Sequence, residues 1–239
     1  MNKTLDSLNP EQRAAVTQTA GPVLVLAGAG TGKTRVITVR IAHLIANGVL
    51  PERILAMTFT NKAASEMRDR LSGLVGKSKA EGVVASTFHS YCLRTLREYS
   101  NALGFPDGFT IADSADQLSF LKLSLRELHI PEARLKPPEV QSRISLAKNR
   151  LQTPEELLAR ASDERDELAA LAYGKYQDVL RRSRRLDFDD LLTETLRLMG
   201  EHSSIRSELQ ARHRYLLVDE YQDTNSVHCL LYTSPSPRD

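Results

Sequence analysis

The sequence predicts an α/β fold: a parallel sheet with helices against it, interrupted by a helical insertion. Three observations carry this expectation. Short apolar runs at residues 23–27, 54–59 and 83–87 each lead into a segment of helical periodicity, and strands that alternate with helices imply a parallel sheet. A fourth apolar run, at 215–218, comes only after a long helical stretch, so residues from about 105 to about 185 read as an insertion between strands of one sheet. At 239 residues the chain can bury a substantial core, as one large domain or as a core with a smaller insert.

The first run, Val23-Leu24-Val25-Leu26, passes straight into Ala27-Gly28-Ala29-Gly30-Thr31-Gly32-Lys33-Thr34. Three glycines in five positions allow a tight turn whose N–H groups point inward, and the helix that follows adds its positive N-terminal end, so phosphate oxygens meet several preorganised donors. In this pattern the lysine, Lys33, reaches the β and γ phosphates and the hydroxyl of Thr34 ligates Mg²⁺. Ala27 stands where the first glycine of the phosphate-loop pattern is usually written, and a small residue suffices there. The spacing Gly-x-Gly-x-Gly-Lys differs from Gly-x-Gly-x-x-Gly, which disfavours a dinucleotide fingerprint. The expected cofactors are ATP and Mg²⁺.

The insertion carries its own punctuation. Ser114 and Gln117 have capping-box spacing, and Thr153-Pro154-Glu155-Glu156 combines a cap, a first-turn proline and a glutamate three residues after the cap. Pro131 and Pro137-Pro138 break the helical pattern between them. The last run, Tyr215-Leu216-Leu217-Val218, ends in Asp219-Glu220, two carboxylates at the C-terminal end of a sheet strand, where open α/β sheets bind ligands. Asp219 is assigned to the metal and Glu220 to the attacking water, since phosphoryl transfer depends mainly on positioning and charge stabilisation. Lys33, Asp219 and Glu220 are thus the candidate catalytic residues.

Composition restricts the rest. With 32 basic against 30 acidic side chains and a net charge of +2, any nucleic-acid partner must be recognised through local sites and not through overall charge. Cys92 and Cys229 alone make neither a disulfide framework nor a cysteine-rich metal site, which fits a reducing cytoplasm. No signal peptide, membrane-spanning run or internal repeat is evident.

The phosphate loop and Asp219-Glu220-Tyr221-Gln222-Asp223-Thr224 occur together with Leu8-Asn9-Pro10-Glu11-Gln12, Thr58-Phe59-Thr60-Asn61-Lys62-Ala63-Ala64, Thr87-Phe88-His89-Ser90 and Leu186-Asp187-Phe188-Asp189-Asp190-Leu191. In this succession, from about Leu8 to Val227, the chain resembles the superfamily 1 helicases of the UvrD/Rep/PcrA group. The resemblance implies a RecA-like P-loop core, domain 1A, over 1–104 and 187–228, interrupted by a helical 1B subdomain over 105–186. It also implies the N-terminal, ATP-binding part of an ATP-dependent 3′-to-5′ DNA helicase acting on single-stranded and tailed duplex DNA.

By the same resemblance Gln12 hydrogen-bonds adenine, and its amide does offer a donor and an acceptor to a base edge; Asn9, Pro10 and Gln12 equally form a local helix cap. Arg35 matches a residue that lies along the nucleotide, and is also an ordinary solvated helix arginine. Phe59 and Phe188 match positions set against single-stranded DNA, where stacking contributes about 1–3 kcal/mol per base whatever the sequence; the plain alternative for each is core packing. Thr60, Asn61, Lys62, Thr87, His89 and Ser90 match the loops that grip the DNA backbone, contacts that position a strand without reading it. The cluster Arg181-Arg182-Ser183-Arg184-Arg185 reads as a solvated helix end in preference to a DNA patch.

Residues 229–239, Cys-Leu-Leu-Tyr-Thr-Ser-Pro-Ser-Pro-Arg-Asp, break from the family pattern and match one reading frame of a transposon-type sequencing-library adapter, so the tail is expected to be foreign. The resemblance places a second RecA-like domain, 2A, and its arginines beyond this chain. Two other classes share these motifs: the motor part of a helicase-nuclease, and a DNA-dependent or clamp-loading ATPase without unwinding activity.

Overall fold

A computed structural model describes residues 2–28 and 30–233. Ala29, one of the expected phosphate-binding positions, and residues 234–239 of the expected foreign tail lie outside the described residues. The described residues form two compact units, those within 2–88 with Ser204–Asp223, and His89–Ser203 with 224–233.

The first unit begins with α1 (Asn2–Asp6), α2 (Pro10–Thr17) and α3 (Lys33–Ala46), followed by β1 (Ile54–Thr58), α4 (Asn61–Val75), α5 (Lys77–Gly82) and β2 (Val84–Thr87). The chain then runs through α6 (Phe88–Glu98), β3 (Thr110–Ile111), α7 (Ser114–Glu127), α8 (Pro137–Asn149), α9 (Pro154–Ala159), α10 (Glu164–Arg182), β4 (Arg185–Leu186) and α11 (Phe188–Glu201). It returns through α12 (Ser203–Arg212) to β5 (Tyr215–Val218) and ends in α13 (Ser226–Thr233).

In the first unit β2, β1 and β5 form a parallel sheet with β1 in the centre. Leu55 pairs with Val84 on one side and with Leu216 on the other. All five residues of β1 are buried, as an uninterrupted apolar strand covered on both faces requires. Ile41, Leu44 and Ile45 of α3 and Met67 and Leu71 of α4 pack with Ile54, Ala56 and Leu217 into one core. A smaller cluster joins Leu8 and Val16 to Val36 and Val39 of α3.

The expected strand at 23–27 is not formed. The segment from Pro22 to Gly28 has no ladder, and Leu24 and Leu26 are 65% and 88% exposed. An all-apolar run suits a central strand, bonded on both edges and covered on both faces. Among the described residues the sheet has three strands, and the segment joins neither of its outer edges, β2 or β5.

The second unit is helical around Leu121, Leu125, Leu135, Val140, Ile144, Tyr173 and Tyr176, with β3 and β4 as a short parallel pair. Thr153 caps α9 as expected, accepting from the backbone N–H of Glu156 while the Glu156 carboxylate accepts from the Thr153 N–H. The cap of α7 lies one residue earlier than its spacing predicts. Asp113 accepts from the N–H of Asp116 at 2.8 Å and Asp116 reciprocates at 3.4 Å, leaving Ser114 as the first helical residue. A carboxylate adds attraction to the helix dipole that a hydroxyl lacks. The arginine cluster is a solvated, paired helix end: Arg182, Arg184 and Arg185 bond to Glu127, Asp107 and Asp116.

Candidate functional site

The glycine-rich loop sits at the N-terminus of α3, and its backbone explains its composition. Gly30 and Gly32 have φ of 75° and 89°, the left-handed region in which a side chain is strained. Gly32 is also the N-cap of α3, so Lys33 and Thr34 open the helix. The Thr31 hydroxyl donates to the Gly28 carbonyl at 2.7 Å, closing the turn. The Lys33 ammonium lies 3.5 Å from the Ala27 carbonyl and 3.9 Å from a Glu220 oxygen.

Asp219 arrives from the other side. Its N–H donates to the Met57 carbonyl at 2.9 Å, which extends the β1–β5 ladder by one rung and fixes the carboxylate at the sheet's C-terminal end. The Thr34 hydroxyl donates to the Asp219 carboxylate at 3.5 Å. Hydroxyl and carboxylate oxygens are the hard donors that Mg²⁺ takes, so the chemistry of these two side chains suits a magnesium-bound triphosphate. Burial raises the pKa of the Asp219 carboxyl, a cost that a bound cation would reverse. Glu220 is a non-glycine residue with φ of 51°, its carboxylate accepting from the Gln222 amide. Strain of this kind persists only where surrounding structure over-determines it.

Gln12 performs both tasks available to its amide within the protein. Its oxygen accepts from the Asn9 N–H at 3.2 Å in a capping box, and its nitrogen donates to the Thr31 carbonyl at 3.0 Å, tying α2 to the loop. Arg35 is directed to the N-terminal segment, donating to the Ser7 hydroxyl at 2.6 Å and the Ser7 carbonyl at 3.3 Å.

Of the expected DNA contacts in the first unit, Phe59 is half-buried with its ring 5.2 Å from that of Phe88. Thr60 caps α4 by accepting from the Ala63 N–H, and Asn61 and Lys62 are exposed in the first turn. Thr87 is only 7% exposed at the end of β2. In the second unit, Ser90 is exposed, and Phe188 is 53% exposed, so its ring is not core packing. It stacks on His89 with centroids 3.9 Å apart and planes 17° from parallel. The His89 pKa is lowered to about 4, first by burial and then by His228, so the imidazole is neutral at pH 7 and offers a hydrogen bond, not a charge.

Sequence reasoning missed Lys148. It is 2% exposed, its ammonium 2.6 Å from Asp187 and 2.7 Å from Asp190. The available signal was its place on the apolar stripe of α8, beside Val140, Ile144 and Ala147, where a solvated lysine has no business.

The family model for the UvrD/REP helicase N-terminal domain matches residues 8–234. The chain belongs to this family. A UvrD/REP helicase N-terminal domain accounts for the parallel sheet, which is that of a RecA-like α/β helicase domain. The chain is 43% identical over 231 residues to the ATP-dependent DNA helicase PcrA of Bacillus subtilis, covering 96% of this chain and 31% of that protein. It is also 43% identical over 232 residues to the PcrA of Staphylococcus aureus, covering 97% and 32%. This UvrD/REP domain thus spans about a third of the length of the curated relatives it matches. Among its described residues no helix is long and apolar enough to cross a membrane.

Proposed function

We propose that the chain is the ATP-binding part of a cytoplasmic DNA helicase that moves 3′-to-5′ on single-stranded DNA by ATP hydrolysis and unwinds tailed duplexes. The observation that carries this reading is the convergence of Lys33, Thr34, Asp219 and Glu220 at the ends of α3 and β5. Its RecA-like domain 1A comprises residues 1–104 and 187–228, with the 1B insertion at 105–186. The family membership supports DNA as the substrate class.

In this reading the loop from Ala27 through Gly28, Ala29, Gly30, Thr31 and Gly32 wraps the phosphates with backbone N–H donors, and Lys33 bonds the β and γ oxygens. Thr34 and Asp219 hold Mg²⁺, which when bound neutralises charge on the triphosphate. Glu220, steadied by Gln222, orients the attacking water and accepts its proton. Gln12, released from its capping bond, meets the adenine edge, and Arg35 flanks the nucleotide. Phe59 and Phe188 stack bases while Thr60, Asn61, Lys62, Thr87, His89 and Ser90 contact the backbone of single-stranded DNA.

The test uses the parent protein and this chain side by side. The parent's ATPase is expected to rise with single-stranded DNA and to fall by at least about a thousandfold in Lys33→Ala and Glu220→Gln, in line with removing the positioning and charge terms of phosphoryl transfer. Activity surviving both changes would overturn the catalytic assignment. The 239-residue chain is expected not to unwind a 3′-tailed duplex, and ATPase activity of the parent without unwinding would favour a DNA-dependent ATPase.

A further inference from the structure

Phe188 presents an exposed aromatic ring from the most deeply buried charge cluster in its unit. It is the first residue of α11, between the two acids that cap that helix. Asp187 accepts from the Asp190 N–H with Oδ1 at 2.9 Å, and Asp190 accepts from the Asp187 N–H with Oδ2 at 3.0 Å. Each carboxylate thereby spends one oxygen on the cap. The second oxygen of each goes to Lys148, at 2.6 Å from Asp187 Oδ2 and 2.7 Å from Asp190 Oδ1. Tyr176 adds a hydroxyl bond to Asp187 Oδ2 at 3.0 Å and Gln177 an amide bond to Asp190 Oδ1 at 3.2 Å. The next residue of α8, Asn149, donates to Asp189 at 3.3 Å.

The last two residues of α8 therefore grip all three acids that flank Phe188. We propose that Lys148 is a positioning residue: by neutralising Asp187 and Asp190 together, it fixes the first turn of α11 so that the Phe188 ring stays stacked on His89 with its other face open to a DNA base. Two adjacent buried carboxylates without a cation cannot both stay ionised, and protonating either changes the oxygen it can offer to the cap. A surface ring on a frayed helix end would sample many rotamers. A ring held from beneath is ready before the strand arrives, which removes an ordering cost from each base it receives. The functional half of this inference rests on the reading of Phe188 as a base platform.

Proton NMR of the His89 ring in the 239-residue chain reports the stack directly, because a phenyl ring 3.9 Å away moves those protons upfield. Phe188→Ala defines the shift without the stack. Lys148→Met is expected to lose at least about half of the difference between wild type and Phe188→Ala, with helix content retained by circular dichroism. Should Lys148→Met fail to fold, the milder Asp190→Asn, which leaves Lys148 paired with Asp187, is expected to show a smaller loss in the same direction. A His89 shift unchanged in folded Lys148→Met, or in Asp190→Asn where that is the variant that folds, overturns the positioning role.

Binding to oligothymidylate carrying 2-aminopurine then separates the two readings. If Phe188 stacks bases, Phe188→Ala weakens binding about fivefold or more, and Lys148→Met weakens it without adding to the loss in the double variant. Additive losses overturn the claim that Lys148 acts through Phe188. Unchanged binding in Phe188→Ala, with the NMR result intact, removes the base-platform reading and leaves the positioning role standing.

Discussion

His89 makes stability depend on pH in a window that its neighbours set. Burial and His228 lower its pKa from 6.5 to about 4, so between these values the unfolded chain binds a proton that the folded chain refuses. Stability is then fully present above about pH 6.5 and falls as pH drops toward 4. Urea midpoints measured at pH 7 and pH 5 are expected to separate less in His89→Asn than in wild type, His228 with its burial-lowered pKa supplying the remainder; equal separation in both would place the titration elsewhere. Lys33, Thr34 and the Asp219-Glu220 pair were legible in the sequence because backbone chemistry ties them to glycines and to a strand end. Lys148 was not, since a single lysine in a helix reads as a solvated face until Asp187 and Asp190, about forty residues away, are seen to close on it.

At the level of elements, the sequence was most readable where local chemistry decides the outcome. Thr153-Pro154 started α9 at the expected residue, and β5 spans the four residues its apolar run predicts. The start of α7 was off by one residue because two side chains compete for one set of N–H groups. Asp113→Ala is therefore expected to cost about 1 kcal/mol and Ser114→Ala close to nothing, as read by thermal melting; the reverse order would restore the Ser114–Gln117 cap. Periodicity failed at 23–27 because an apolar run states what environment a segment suits, and the rest of the sheet decides whether that environment exists. With Leu24 and Leu26 exposed, Leu24→Ser and Leu26→Ser are expected to change stability by less than about 0.5 kcal/mol while raising solubility. A large loss in urea stability would mean the run is buried after all.

For the whole molecule, two units with separate cores make a single unfolding free energy ill-defined. Calorimetry is expected to resolve two transitions, of which Mg²⁺-ATP raises only one, because the nucleotide site proposed at Lys33 and Asp219 lies within the first unit. At a hundred times its dissociation constant the nucleotide adds about 2.7 kcal/mol to that unit. A uniform shift of both transitions would argue that the units unfold together. The pairing of β1 with β5 joins Ile54 to Tyr215, so the central strand waits for some 160 further residues to be synthesised before its second neighbour exists. At about 5–20 residues per second on the ribosome, that delay lasts roughly ten to thirty seconds. During it the helical unit is largely made and free to fold, while Ile54–Thr58 stands with one naked edge in a nascent chain, the segment with most to gain from a chaperone's cover.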